Sequence, residues 1–217
     1  MMRRAGFLPM TMVFCLAAVQ ARADRVVVYA IDPVQTRITF NWTYLGMTSP
    51  TASFSNASGN IYGNLDRPEE SWAEVSIPVT SLKTFMPIID RQLLESGDFF
   101  KPREYPEMRF RSNGIMHVDN DDKTFSLTGT LTVNGITRPV ILSAKAIGSG
   151  SGSNPFAGNG QSAGLSATAT FRRSEFGMTR MLGVVGDVMK VQLRVFAAEK
   201  AHTDRPVRSD TGELVQQ

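Results

Sequence analysis

Between Phe125 and Ala146 the chain reads FSLTGTLTVNGITRPVILSAKA, two runs of alternating apolar and polar residues on either side of Asn134-Gly135. Alternation with a period of two marks a half-buried strand, and Asn-Gly suits a type I′ turn, in which both central residues take φ > 0. A turn of that length fixes the register: Val133 faces Ile136, Leu131 faces Arg138 and Leu127 faces Leu142. Phe125, Leu127, Leu131 and Val133 then share one face with Ile136, Val140, Leu142 and Ala144. Ser126, Thr128, Thr130 and Thr132 share the other with Thr137, Pro139 and Ser143, and Ile141 is the apolar residue among them. Pro139 falls opposite Thr130 at a non-hydrogen-bonded pair, so its missing N–H costs this ladder nothing. The loss falls on the strand beyond, where a bulge, a gap or a sheet edge is expected. Gly129 leaves an apolar-face position without a side chain, as a sharp bend or the close approach of another group requires.

The same alternation predicts strands over Val26–Ile31, Arg37–Trp42, Ser58–Leu65, Ala73–Val79, Met108–Ser112, Gly114–Asp119, Leu165–Phe171 and Val188–Ala198. Met86–Ser96, with Pro87 in its first turn and Gly97 after its end, is the one helix candidate. Gly148–Gly160 is rich in Gly, Ser and Asn and reads as a flexible loop, and the polar residues His202–Gln217 read as a disordered tail. Short strands with turn signals between them and one short helix predict an all-β antiparallel barrel or sandwich. An outer-membrane barrel is disfavoured, because these strands are shorter than such barrels need and the chain ends in a polar tail.

Composition changes this picture at the beginning of the chain. Arg3 and Arg4 precede an apolar run from Phe7 to Val19, and Ala21-Arg22-Ala23 is a small-x-small cleavage site. Residues 1–23 are therefore expected to be a Sec-type signal peptide cut after Ala23, and the protein to be periplasmic or secreted. The apolar run is too short to span a bilayer, so no stable membrane insertion is expected. The chain holds 23 Lys+Arg and 20 Asp+Glu; the leader carries Arg3, Arg4 and Arg22 and no acid, which leaves 20 against 20. With that balance a nucleic-acid partner is not expected. The only cysteine, Cys15, leaves with the leader, so the remaining chain, one domain over 24–199 and a tail over 200–217, lives on its core.

Candidate chemistry is sparse. His117 and His202 form no metal pair and no triad. Asp119, Asp121 and Asp122 lack the ligand spacing of a calcium loop and read as a solvated turn. The glycines, Gly158 and Gly160 included, follow no strand-to-helix pattern that would cradle phosphate. No catalytic residue, metal or cofactor is expected. Aromatic residues are plentiful in or beside the strands: Phe40, Trp42, Phe54, Phe85, Phe99, Phe100, Phe110, Phe125 and Phe171. An ordinary packed core accounts for them, and so does an eight-stranded barrel around an elongated apolar ligand; composition alone does not separate the two.

Five motifs in order speak to that choice: Tyr29-Ala-Ile-Asp32-Pro33 leading to Ile38-Thr-Phe40; Ser96-Gly97-Asp98-Phe99-Phe100; Tyr105-Pro106-Glu-Met-Arg-Phe110-Arg-Ser112; Gly129 to Val140; and Phe171-Arg172-Arg173-Ser174-Glu175-Phe176-Gly177 with Asp187-Val188. Over about Tyr29 to Glu199 the chain resembles the YceI family of exported, lipocalin-like, polyisoprenoid-binding proteins. The resemblance implies a lipocalin-like eight-stranded antiparallel barrel around a long apolar pocket, with the short helical segment near its mouth. It implies an isoprenoid-tailed or fatty lipid as partner, held without chemistry. Phe40, Trp42, Phe110, Leu127, Leu131, Val140, Leu142 and Phe171 are expected to line the lumen, and Phe85, Phe99 and Phe100 to stand at the mouth. Arg138 shares the lumen face as a snorkelling end-of-barrel residue or a head-group contact. Many relatives carry His where this chain has Gln35, Leu93 and Asn134. Two other classes stay open, a stress-related interaction module with a filled barrel and an enzyme acting on the lipid, and a homodimer is left open too.

Overall fold

The computed structural model describes residues 25–119, 121–147 and 162–200, with the backbone of 207–208 and 214–215. Ten strands form the principal sheet: β1 Val26–Ile31, β2 Arg37–Asn41, β3 Thr51–Phe54, β4 Ser58–Asn64, β5 Trp72–Pro78, β6 Glu107–Asp119, β7 Thr124–Val133, β8 Ile136–Ala146, β9 Ser162–Arg172 and β10 Val188–Glu199. Among the described residues a single α-helix, α1, spans Pro87–Glu95. All pairings are antiparallel, and the sheet closes into an eight-position barrel. One edge of β10 runs along β9; the other is shared by β2, opposite Lys190–Arg194, and β1, opposite Ala197–Glu199. β1 pairs on with β4 and β2 with β3, so two broken strands complete the ring with β5 to β10. The expected eight-stranded antiparallel barrel with one short helix is the fold found.

The first break is made by Asp32, whose carboxylate accepts from the backbone N–H groups of Val34 and Gln35 at 2.8 and 3.2 Å, turning the chain between β1 and β2. The hairpin of β7 and β8 has the expected register throughout, with Asn134 and Gly135 at φ 50° and 75°. Pro139 marks a gap: β8 pairs with β9 only from Ser143↔Thr168 to Ala146↔Leu165, and Arg173–Phe176, a 3-10 turn after β9, covers the unpaired stretch of β8.

Gly129 permits a close approach. A Cβ there would sit 2.4 Å from the Arg111 carbonyl oxygen and 2.9 Å from a Phe110 ring carbon. The register shift between Ser112 and Gly114 lies at this point, so the two strands expected around Asn113 are one bulged strand, β6. Gly129→Ala is expected to cost about 2 kcal/mol by overpacking, read as a fall of several degrees in thermal midpoint.

Two sequence expectations differ from the structure in detail. Thr51–Phe54 gives no signal as a strand because it is short and held by its pairing with β2. Val207–Arg208 and Leu214–Val215, in the expected disordered tail, form a small antiparallel ladder. The expected signal peptide, the loop Gly148–Gly160 and the rest of the tail lie outside the described residues.

Candidate functional site

Inward-facing residues fall into two buried clusters. The cluster of Tyr29, Ile61, Ile115, Phe125, Leu127, Leu142, Leu165 and several alanines fills one half of the barrel. The other holds Phe40, Phe54, Leu82, Phe99, Phe100, Met108, Phe176 and Met189, and a cavity runs through it. The non-atom space of that cavity is about 1030 Å³, its open side included, of which about 120 Å³ can hold the centre of a water-sized sphere. Its wall exposes only apolar atoms.

The wall is stiffened by aromatic contacts. Phe40 packs on Trp42 and Phe54 with ring centres 5.6 and 5.3 Å apart, and Phe54 meets Phe100 edge-on at 5.6 Å. Phe99 and Phe100 are brought in from outside the barrel. The Phe100 N–H donates to the Leu93 carbonyl at the end of α1, and Gly97 takes φ 71° to turn the chain back. Asn134, in the hairpin turn, donates to the Phe99 carbonyl at 2.7 Å and reaches the Phe176 carbonyl at 3.5 Å. A single amide thus ties the β7–β8 turn to two segments of the wall. α1 is held by Asp90, whose carboxylate accepts from the Thr84 N–H and hydroxyl at 2.7 and 2.6 Å.

Of the residues expected at the site, Phe40, Trp42, Phe99, Phe100, Phe110, Leu131, Val140, Leu142 and Phe171 line the cavity. Leu127 does not: it is 3% exposed within the filled half. Phe85 is 86% exposed, with φ 64°, and is not on the wall. Phe99 and Phe100, expected at the mouth, are buried in the wall itself. Arg138 is exposed and donates to the Thr137 carbonyl, away from the cavity. Of the three positions that the resemblance sets against His, Leu93 lines the cavity, Asn134 makes the tie described above and Gln35 donates to Asp32 at 2.7 Å.

Sequence reasoning missed Met108, Met178, Met189 and Val185 on the wall, and above all Arg173 behind it. Arg173 is 2% exposed, and its guanidinium donates to the backbone carbonyls of Met178, Arg180, Val185 and Gly186, the last three at 2.9, 2.9 and 3.1 Å. It also lies 5.7 Å from the centre of the Phe99 ring. Burial lowers its affinity for the proton and the nearby Asp187 carboxylate opposes that. Asp187 is held below the usual carboxylate range: burial pushes it up, but hydrogen bonds from the Ser174 N–H and hydroxyl and the two adjacent arginines outweigh it.

Elsewhere the chemistry is plain. Among the described residues no group of three or more His, Cys, Asp or Glu is placed to hold a metal, and no helix is long and apolar enough to cross a membrane. Asp119 accepts from the Asp121 and Asp122 N–H groups in an ordinary turn.

The architecture is a closed antiparallel barrel of the lipocalin-like kind with an apolar interior cavity. A family model described as the YceI-like domain matches residues 29–197, and the chain belongs to that family. A UPF0312 protein of Pseudomonas putida is 32% identical over 165 residues, covering 75% of this chain and 81% of the relative. One from a Shewanella species is 29% identical over 190 residues, covering 86% and 94%. Among solved structures, Burkholderia cenocepacia BcnA superposes with a TM-score of 0.65 at 18% identity, over 77% of this chain and 99% of that one. The Campylobacter jejuni YCEI protein gives 0.61 at 21% identity, over 89% and 100%. A Saccharophagus degradans domain described as polyisoprenoid-binding and implicated in plant cell wall breakdown gives 0.58 at 13%, over 80% and 99%. These likenesses establish the fold.

Proposed function

We propose that the protein is an exported carrier, periplasmic or secreted, that sequesters a long apolar lipid, polyisoprenoid or fatty, inside the barrel and performs no chemistry on it. The observation that carries this reading is the cavity wall: aromatic, aliphatic and methionine side chains with no polar atom on its surface. Such a wall offers nothing to a reacting group and everything to a hydrocarbon chain. Each methylene moved from water to that interior contributes about 0.8 kcal/mol, so a tail of many carbons binds even after ordering costs. Selectivity then rests on length and cross-section, with methionines at Met108, Met178 and Met189 supplying adaptable wall. The description of the Saccharophagus degradans neighbour is consistent with this ligand class.

The test is native mass spectrometry of the protein purified from its exporting cell, followed by solvent extraction. The expected result is a polypeptide beginning at Asp24 with a discrete added mass that extracts as a long isoprenoid or acyl lipid. A bare polypeptide that stays bare after incubation with such lipids would overturn the carrier and leave a filled barrel acting through protein partners.

A further inference from the structure

The outer face of the barrel opposite β5 has a chemistry the cavity does not explain. Strand registers place Lys145, Ser166, Arg194 and Arg37 in one cross-strand row over β8, β9, β10 and β2, with Arg194 directly opposite Arg37. At 4.7–4.9 Å per strand the row spans about 15 Å. The neighbouring row, Ser126, Ser143, Thr168, Gln192 and Thr39, is a floor of short polar side chains. Together the rows line a groove with no acidic residue among its described lining positions. Among the described residues none of the three cations makes an ion pair, and the nearby Asp32 carboxylate is occupied by Val34 and Gln35.

Like charges directly opposite one another are destabilising, and no acid among the described residues pairs with these. A partner that brings anions to this row would supply a counter-charge. Cations spread along a row, rather than converging on a point, suit an array of anions. Val34, 87% exposed in the same groove, and Ile141, 61% exposed just beyond it on β8, add apolar groups to the cations and hydroxyls. Cations with exposed aliphatic side chains are the combination an anionic bilayer surface takes up, phosphates on the cations and apolar tips in the interface. We propose that this face docks the protein onto membranes through the phosphodiester head groups of anionic phospholipids.

The experiment is flotation of the full protein with phosphatidylcholine vesicles containing or lacking phosphatidylglycerol, at low and high salt. The expected result is association only with phosphatidylglycerol present, released by salt, and weakened about fivefold for each cation removed in Arg37→Gln, Lys145→Gln and Arg194→Gln. Arg109→Gln, on β6 beside Glu107 at 3.4 Å, should leave it unchanged. Thermal midpoints of the three variants, no lower than wild type, establish that they fold. Equal association with neutral vesicles, no association, or association indifferent to the three substitutions would overturn the proposal. So would retention on soluble polyphosphate without flotation, which would reassign the row to a soluble polyanion. None of these outcomes depends on whether the cavity holds a lipid.

Discussion

Leu131→Trp is expected to abolish lipid uptake while leaving the barrel folded. Leu131 lies on β7 opposite Phe110 of β6 and Arg138 of β8, and its half-buried side chain lines the cavity. Overpacking normally costs a core 1–3 kcal/mol because larger side chains must displace neighbours. Here the indole has the cavity itself to enter, so the cost to folding is at the low end. The cost to binding is not. An indole projecting from position 131 takes up cavity space and excludes the part of a chain that would occupy it. Displacing even four methylenes removes about 3 kcal/mol, roughly a hundredfold in affinity, and blocking the passage removes more. Titration of wild type and variant with a fluorescent long-chain lipid reads the affinity, and circular dichroism with a melting curve reads the fold. Trp42, itself on the cavity wall, gives wild type a second optical signal on filling. Uptake within threefold of wild type by a folded variant would remove Leu131 from the passage and the cavity from the proposed function. Leu127→Trp is the contrasting case. Leu127 sits in the filled half of the barrel, so the same substitution there should destabilise the fold rather than block a space.

That contrast shows where the sequence stops being legible. Leu127 and Leu131 occupy equivalent places in the alternation of β7, and periodicity reports which face a side chain takes, not how densely that face is packed. Density is decided by partners from other strands. Around Leu127 the alanines Ala144, Ala163, Ala167 and Ala197 draw the wall together, whereas around Leu131 stand large residues that hold it apart. The β7–β8 hairpin was readable in full because everything that fixes it is local: an Asn-Gly turn, strict alternation and a proline whose missing donor falls on the outer ladder. The aromatic residues outside strands were less readable. Phe85 and the Phe99–Phe100 pair look alike in a list of apolar residues. A hydrogen bond to the Leu93 carbonyl and the Asn134 tie carry the pair inside, and among the described residues no such tie holds Phe85. Arg173 was the least legible of all. It stands in a run with Arg172, Ser174 and Glu175 that reads as a polar turn, and its burial is made by carbonyls of a segment that itself has no regular pattern.

Arg173→Met is expected to be the most damaging single substitution to stability. Met follows the stem of Arg as far as Nε, so the loss falls mainly on the guanidinium and its donors. Four backbone carbonyls, those of Met178, Arg180, Val185 and Gly186, depend on one guanidinium, and Arg173 is 2% exposed. Each buried acceptor left unsatisfied costs about 1–3 kcal/mol. If half of them find water as the segment loosens, about 4 kcal/mol is still lost, a fall in thermal midpoint of roughly 10 °C for a chain of this size. Arg173→Lys should rescue little, because one ammonium cannot serve four carbonyls arrayed around a planar fork. Arg172→Gln is the control. Its side chain is 65% exposed and its partner Asp187 is 3.5 Å away, so its removal should cost well under 1 kcal/mol. A readout beyond stability follows from what the carbonyls belong to. Residues 178–186 supply Met178 and Val185 to the cavity wall and pair with the β2–β3 turn, Leu45 N–H to the Val184 carbonyl and Gly186 N–H to the Thr43 carbonyl. The Arg180 side chain is already exposed, so loosening the segment acts by freeing its backbone to enter a protease site, and trypsin cleavage after Arg180 should quicken in Arg173→Met well below its melting point. A variant as stable as Arg172→Gln, or one that melts early without added cleavage there, would show that the wall stands without this arginine.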